Sequence, residues 1–141
     1  MFVIEFDQQH HAALVVFRGP LRRDDIAGID EVSKLLIASK GPHSVVLDFS
    51  AVSRIDLTRD DVIARGRQPS RDEAVRRVIV TSGALLNEFA DVFAAAQAFT
   101  GSAPPKLVAN RADAFVWLGI AAPAFKPVDL ASLGGPASPG T

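Results

Sequence analysis

The sequence predicts an α/β domain, with a mixed, mainly parallel sheet of about five strands, an antiparallel opening hairpin and about four helices. Three observations carry that prediction. Short β-branched runs alternate with stretches of helical periodicity. The first two apolar runs are separated only by the polar stretch from Asp7 to His11, which is hairpin-loop length. The chain has 141 residues, 48% hydrophobic and 22% charged, which is one domain with enough apolar surface for a core.

Element by element, Phe2-Val3-Ile4-Glu5-Phe6 and Ala12 to Arg18 are the hairpin strands, and Gly19-Pro20 is expected to end the second. Asp24 or Asp25 then opens a helix by placing negative charge at its positive dipole end. Ile26, Ile29, Val32 and Leu36 give that helix one buried stripe, and Lys40-Gly41-Pro42 stops it. Ser44 to Phe49 is a central strand, followed by a turn from Ser50 to Thr58 and a poorer helix around Asp60 to Gly66. After Pro69, Ser70-Arg71-Asp72-Glu73 has capping-box spacing, which predicts a further helical turn. Arg77 to Thr81 is the next strand, Leu85 to Thr100 the longest helix, and Lys106 to Ala109 a last strand. Asn110 caps a closing helix that runs to Gly119. In it Trp117, a lone large aromatic, is expected to anchor the helix against the sheet.

From about Gly119 the composition changes. Four prolines, four glycines and five alanines fall in the last 23 residues without periodicity. The domain is therefore expected to span 1–119, with 120–141 a tail either weakly ordered or docked through Phe125, Val128, Leu130 and Leu133.

Composition excludes several functions. A net charge of -1 creates no global pull toward nucleic acid or anionic membrane. With no cysteine there are no disulfides, thiolate metal sites or cysteine nucleophiles. Met1 to Asp7 carries no cation, so no signal peptide is expected, and no apolar run reaches the roughly 18 residues of a membrane span.

The element order and two short segments, Val45 to Asp56 and Ala112-Asp113-Ala114-Phe115-Val116-Trp117-Leu118, resemble the STAS-like, SpoIIAA-like family of anti-sigma-factor antagonists. That group is related to the lipid-binding CRAL-TRIO fold. The resemblance covers roughly residues 1–119 and implies a cytoplasmic, bacterial, non-catalytic regulatory module that contacts a protein partner. It also implies a phosphoacceptor serine in the pattern Asp-Ser-(small)-Gly at the strand-to-helix turn. Here the turn reads Asp56-Leu57-Thr58-Arg59, with leucine at the acceptor position and arginine at the glycine position, so the phosphorylation switch does not carry over. Thr58 is one residue late and serves as a helix N-cap.

The same turn is the partner-binding candidate, through Asp56, Thr58, Arg59 and Asp60, at the strand ends where open α/β sheets place their sites. Arg59 stands out, because a cation in the first helical turn opposes the dipole and must serve an acidic partner or pair with Asp56 or Asp60. A second candidate is the almost wholly apolar helix carrying Leu85, Phe89, Phe93 and Phe99. It has too little polar face for an ordinary surface helix, so a ligand groove or homodimer contact is expected beneath or beside it.

Other features have simpler readings. His10-His11 are adjacent on a hairpin with no third nearby histidine, so no metal is expected. Seven arginines from Arg54 to Arg77 share their window with five acids and no aromatic, which reads as an ion-paired face and no nucleic-acid site. Thr81-Ser82-Gly83 lacks Walker-type spacing and reads as a capped turn. No nucleophile elbow or carboxylate dyad occurs, so no enzyme and no cofactor are expected. Two readings remain: a non-catalytic STAS-like interaction module, or a small apolar-ligand or lipid binder. A cavity lined by Phe89 and Phe93 distinguishes the second from the first, where that space is packed.

Overall fold

Among the described residues eleven elements follow one another: β1 (Phe2–Asp7), β2 (Ala12–Leu21), α1 (Arg23–Lys40), β3 (Ser44–Ile55), α2 (Arg59–Gly66), β4 (Arg77–Val80), α3 (Ala84–Phe99), β5 (Lys106–Val108), α4 (Arg111–Leu118), β6 (Lys126–Pro127) and the single turn α5 (Leu130–Leu133). The computed structural model describes residues 1–67, 76–81, 83–99 and 105–133, with the side chains of 85, 98, 99, 132 and 133 excepted. The capping-box segment Ser70 to Glu73 and the capping serine Ser82 lie outside the described residues.

The strands form one sheet in the order β5-β4-β3-β2-β1-β6. β1 is antiparallel to both β2 and β6, while the pairs β2–β3, β3–β4 and β4–β5 are parallel. Alternation divides the core between the two faces. Ala13, Val15 and Phe17 face α1, whereas Leu14, Val16, Val46, Val78 and Val80 face Ala114 of α4.

Two strands run further than their punctuation predicts. β2 continues through Gly19-Pro20 to Leu21, because β1 has already ended opposite Phe17. Past Arg18, whose N–H donates to the Met1 carbonyl at 2.9 Å, residues 19–21 pair with β3 alone, through an irregular register, and an edge tolerates a proline that has no N–H to give. β3 continues to Ile55 in place of the expected turn at Ser50, its second half pairing with that same end of β2. The result is a two-stranded arm extending past β4, with Phe49 stacked on Phe17 at 4.6 Å.

α1 starts one turn's edge earlier than the acidic pair implies, with Arg22 as the cap residue and the Asp25 carboxylate accepting its N–H at 3.0 Å. α2 has a reciprocal cap: Thr58 Oγ1 accepts from the Asp61 N–H at 3.0 Å and Asp61 accepts from the Thr58 N–H at 2.9 Å. Asn110 caps α4 through the Asp113 N–H at 2.8 Å.

Trp117 does not anchor α4 against the sheet. Its side is 39% exposed, and the Arg76 guanidinium covers the ring at 4.3 Å. Ala114, fully buried, is the residue that seats the helix, because only a small side chain lets α4 lie so close. Beyond it Ile120 is buried, Phe125 stacks on Phe115, and β6 adds to the free edge of β1. Among the described residues no helix is long and apolar enough to cross a membrane.

Candidate functional site

The helices α1, α2 and α3 line a half-open cavity of about 380 Å³ against the sheet. That volume is in the lower part of the roughly 300–1,000 Å³ range of small-molecule sites. Phe17, Leu47, Phe49 and Ile79 form its floor, and the arm of β2 and β3 closes one end with Leu21 and Ile55. Phe89 and Phe93 of α3 line the wall opposite Ile26 and Ala27 of α1.

Local sequence explains why these groups meet. On α1, Arg23, Ile26, Ala27 and Asp30 recur at helical spacing and so share one face. Asp61 and Arg65 are four apart on α2 and also share a face. α2 lies hard against α3 at Gly66, where an added Cβ would stand 2.7 Å from Ala96 Cβ and 2.9 Å from the Phe93 carbonyl. That close approach sets the wall that α2 and α3 form together.

The charged groups of the lining neutralise one another. Arg23 Nε donates to Asp61 at 3.1 Å, and Arg65 bonds to Asp30. The Thr58 N–H and the Arg23 guanidinium hold the Asp61 carboxyl below the usual carboxylate range. Among the described lining residues one polar side chain remains, Thr81, whose hydroxyl donates to Asn87.

Of the two candidate regions read from the sequence, the α3 face lines this cavity through Phe89 and Phe93, whereas the four candidate residues of the turn do not. Leu57, at the position where the antagonist resemblance puts a phosphoacceptor, lines the cavity and packs on the core. Its neighbours Asp56, Thr58, Arg59 and Asp60 lie on the outside of the turn. Asp56 is bound by Arg54 at 3.1 Å and approached by Arg22 at 3.7 Å, so it is not the partner of Arg59. Arg59 is exposed and makes no ion pair among the described residues. Phe89 and Phe93 take part in the cavity, whereas the side chains of Leu85 and Phe99 lie outside the described set.

Elsewhere, His11 does have a third histidine near it: the ring of His43 stands 6.3 Å away, with Phe6 packed against both. Burial, offset by the Gly41 carbonyl, pushes His43 below its ordinary value, and His11 adds to that. His10 is not simply solvated, since its Nδ1 lies 2.8 Å from Asp7. Among the described residues no group of three histidines or carboxylates can hold a metal ion.

Sequence reasoning missed the α1 wall and also Asp48, which is buried within β3. Asp48 accepts from the Ser50 hydroxyl at 2.6 Å and N–H at 2.8 Å, and from Arg111 of α4. Burial would raise its carboxyl, but these donors outweigh it and hold the group below the usual range. An acid within an apolar strand and an arginine at the start of the last helix were the available signal.

Comparison with known proteins supports the fold and nothing finer. No protein-family model matches the chain, and a search of curated proteins finds no match. Among solved structures, the chain is similar to an uncharacterised DUF3478-family protein with a SpoIIAA-like fold from Shewanella loihica PV-4, at 21% identity over 84% of this chain and 92% of that one, with a TM-score of 0.55. It is also similar to the anti-sigma factor antagonist SpoIIAA in its unphosphorylated form, at 15% identity over 84% of this chain and 98% of that one, with a TM-score of 0.54. The fold is SpoIIAA-like, as the element order of the sequence implies.

Proposed function

We propose that this protein is a non-catalytic binder of a small apolar molecule, built on a SpoIIAA-like fold. The observation that carries the reading is the cavity itself: about 380 Å³, walled by Phe89 and Phe93, in the space that a purely contact-making module fills with side chains. Burying an apolar ligand there gains about 25 cal/mol per Å² of surface removed from water, with no reacting group needed. Leucine at position 57 fits the same use, because it adds to the apolar wall where a phosphorylation switch needs a hydroxyl. A cytoplasmic setting is part of the proposal.

Native mass spectrometry of the purified protein tests it by reporting bound small molecules and subunit count together. Uptake of the uncharged fluorophore N-phenyl-1-naphthylamine, abolished when Ala27→Phe or Ala90→Trp fills the cavity, is the expected result. Uptake that such filling variants leave unchanged would place binding elsewhere.

A second reading has its own observation. Arg59 is exposed at the amino end of α2 without an intramolecular counter-charge among the described residues. We infer a protein contact through the outer face of Asp56, Thr58, Arg59 and Asp60, with an acidic group on the partner. An Arg59→Glu variant that folds normally is expected to lose that partner in pull-down. Retention of every partner removes the reading.

A further inference from the structure

We propose that the cavity takes an uncharged chain-like ligand, of the long-chain alcohol class, and admits it between α1 and α2, where Arg23–Asp61 and Asp30–Arg65 form the gate. The inference rests on the cavity being a ligand site and adds what enters it and by which route.

The route follows from how the helices are fastened. α2 is locked to α3 by the close approach of Gly66 to Ala96 and Phe93, and by the Gln97 side chain donating to the Gly66 carbonyl at 2.9 Å. Across the other seam, the polar links between α1 and α2 among the described residues are the two ion pairs. They are partly exposed: Arg65 and Asp30 are each 33% accessible, so water can replace either partner as the bridge opens. Half-buried Ile26 and buried Val62 line the same cavity, with exposed Ala27 at its mouth. Separation of the α2–α3 unit from α1 therefore costs two hydrated bridges and widens the mouth of the half-open cavity.

The ligand's charge follows from the same four residues. Among the described lining residues two arginines and two aspartates are matched one to one, so these four offer no spare charge to a head group. A carboxylate that engages Arg23 or Arg65 must displace an aspartate and leave it uncompensated beside an apolar cavity. Among the described lining residues the uncharged polar side chain is Thr81. Its hydroxyl proton is committed to Asn87, but the oxygen keeps a lone pair that can accept. A hydroxyl on the ligand can donate there, whereas a carboxylate has no proton to give.

The test uses the full chain, N-phenyl-1-naphthylamine as the reporter, and dodecan-1-ol and dodecanoate as competitors at one pH near neutrality. Dodecan-1-ol is expected to displace the reporter about tenfold more tightly than dodecanoate. Stopped-flow association of the reporter is expected to quicken several-fold with added salt and in the double variant Asp30→Leu with Arg65→Leu, which should also lose the salt dependence. The swap Asp30→Arg with Arg65→Asp restores the bridge and should return the slow, salt-sensitive rate, which separates gating from damage to the fold. Equal or tighter binding of dodecanoate overturns the uncharged-ligand assignment, and association rates unaffected by salt and by both variants overturn the gate. No uptake of the reporter by the wild-type chain, in contrast, is the failure of the cavity reading itself.

Discussion

The Asp7 carboxylate accepts the backbone N–H of Ala124 at 2.9 Å, joining the end of the first strand to a residue 117 positions later. Asp7 is fully buried and also takes the N–H of His10 at 3.0 Å and its ring Nδ1 at 2.8 Å. Burial by itself would raise the carboxyl; the donors from Ala124 and His10 outweigh it and lower the group from 3.8 to about 2. This one side chain thus closes the hairpin loop and clamps the chain that leads into β6.

An Asp7→Asn variant is expected to lose about 1–3 kcal/mol, since the amide keeps an acceptor for Ala124 but loses the charge facing His10. In the wild type a depressed carboxyl stabilises the fold above the unfolded value and ceases to do so as it is protonated. Stability from Asp7 is therefore fully present above about pH 4 and lost as pH falls toward 2, between the unfolded and folded values. Urea midpoints measured across that range should fall more steeply in the wild type than in Asp7→Asn. Parallel curves would show that the clamp is not electrostatic.

Removing residues 120–141 is expected to lower the thermal midpoint by roughly 5 °C or more, because it uncovers Phe115, strips the β1 edge of β6 and leaves Asp7 without the Ala124 donor. Differential scanning calorimetry reads this directly. A midpoint unchanged within about 2 °C would mean that the docked segment contributes little, as its Pro/Gly-rich composition alone implies.

Gly66→Ala adds one methyl where α2 meets α3, 2.7 Å from Ala96 Cβ and 2.9 Å from a backbone oxygen. Neither neighbour is the end of a flexible side chain, so the helices must part. The expected cost is about 1–3 kcal/mol, despite alanine's better helix propensity. Pairing it with Ala96→Gly should recover much of that loss in chemical denaturation. Failure of the pair to recover would place the strain at the Phe93 carbonyl.

What the sequence made legible was whatever is local. Hairpin, helix stripes, the Thr58 and Asn110 caps and the apolar face with Phe89 and Phe93 all follow from spacing over a few residues. The continuations of β2 past Pro20 and of β3 past Ser50 did not, because a proline's effect depends on whether a neighbouring strand needs its N–H. Only the register, with β1 ending opposite Phe17, shows that none does. The site was half legible for the same reason. Ile26 and Ile29 share one stripe in the sequence and both line the cavity, but Arg23 and Asp30 join them there only because α2 happens to stand opposite. Long-range pairing of Arg23 with Asp61, and of Asp48 with Arg111, leaves no periodic trace.

Arg111→Leu removes the partner of Asp48, a carboxylate only 1% exposed, while Ser50 still donates to it. The expected loss is about 1–3 kcal/mol, from the cost of an under-satisfied buried charge. Combining it with Asp48→Asn should cost less than the two single changes added together, and a double-mutant cycle measures that coupling. Strict additivity would mean that Ser50 alone satisfies Asp48.

Trp117 and Ala114 make opposite predictions for the same helix. Trp117 is the larger residue, but it is 39% exposed, and the Arg76 guanidinium lies over its ring at 4.3 Å. A cation over an exposed indole contributes about 0.5–1 kcal/mol, so Trp117→Ala is expected to cost about 1 kcal/mol and not the several that a buried tryptophan commands. Ala114 has no exposed surface and faces Val78 and Val80 across the sheet. Ala114→Leu must push α4 outward against Phe115, Leu118 and the Phe125 stack, at a cost of about 1–3 kcal/mol or more. Guanidinium denaturation of the two variants gives the order: Ala114→Leu far less stable than Trp117→Ala. The reverse order would return the tryptophan to the role of anchor and make the tight seat of Ala114 incidental.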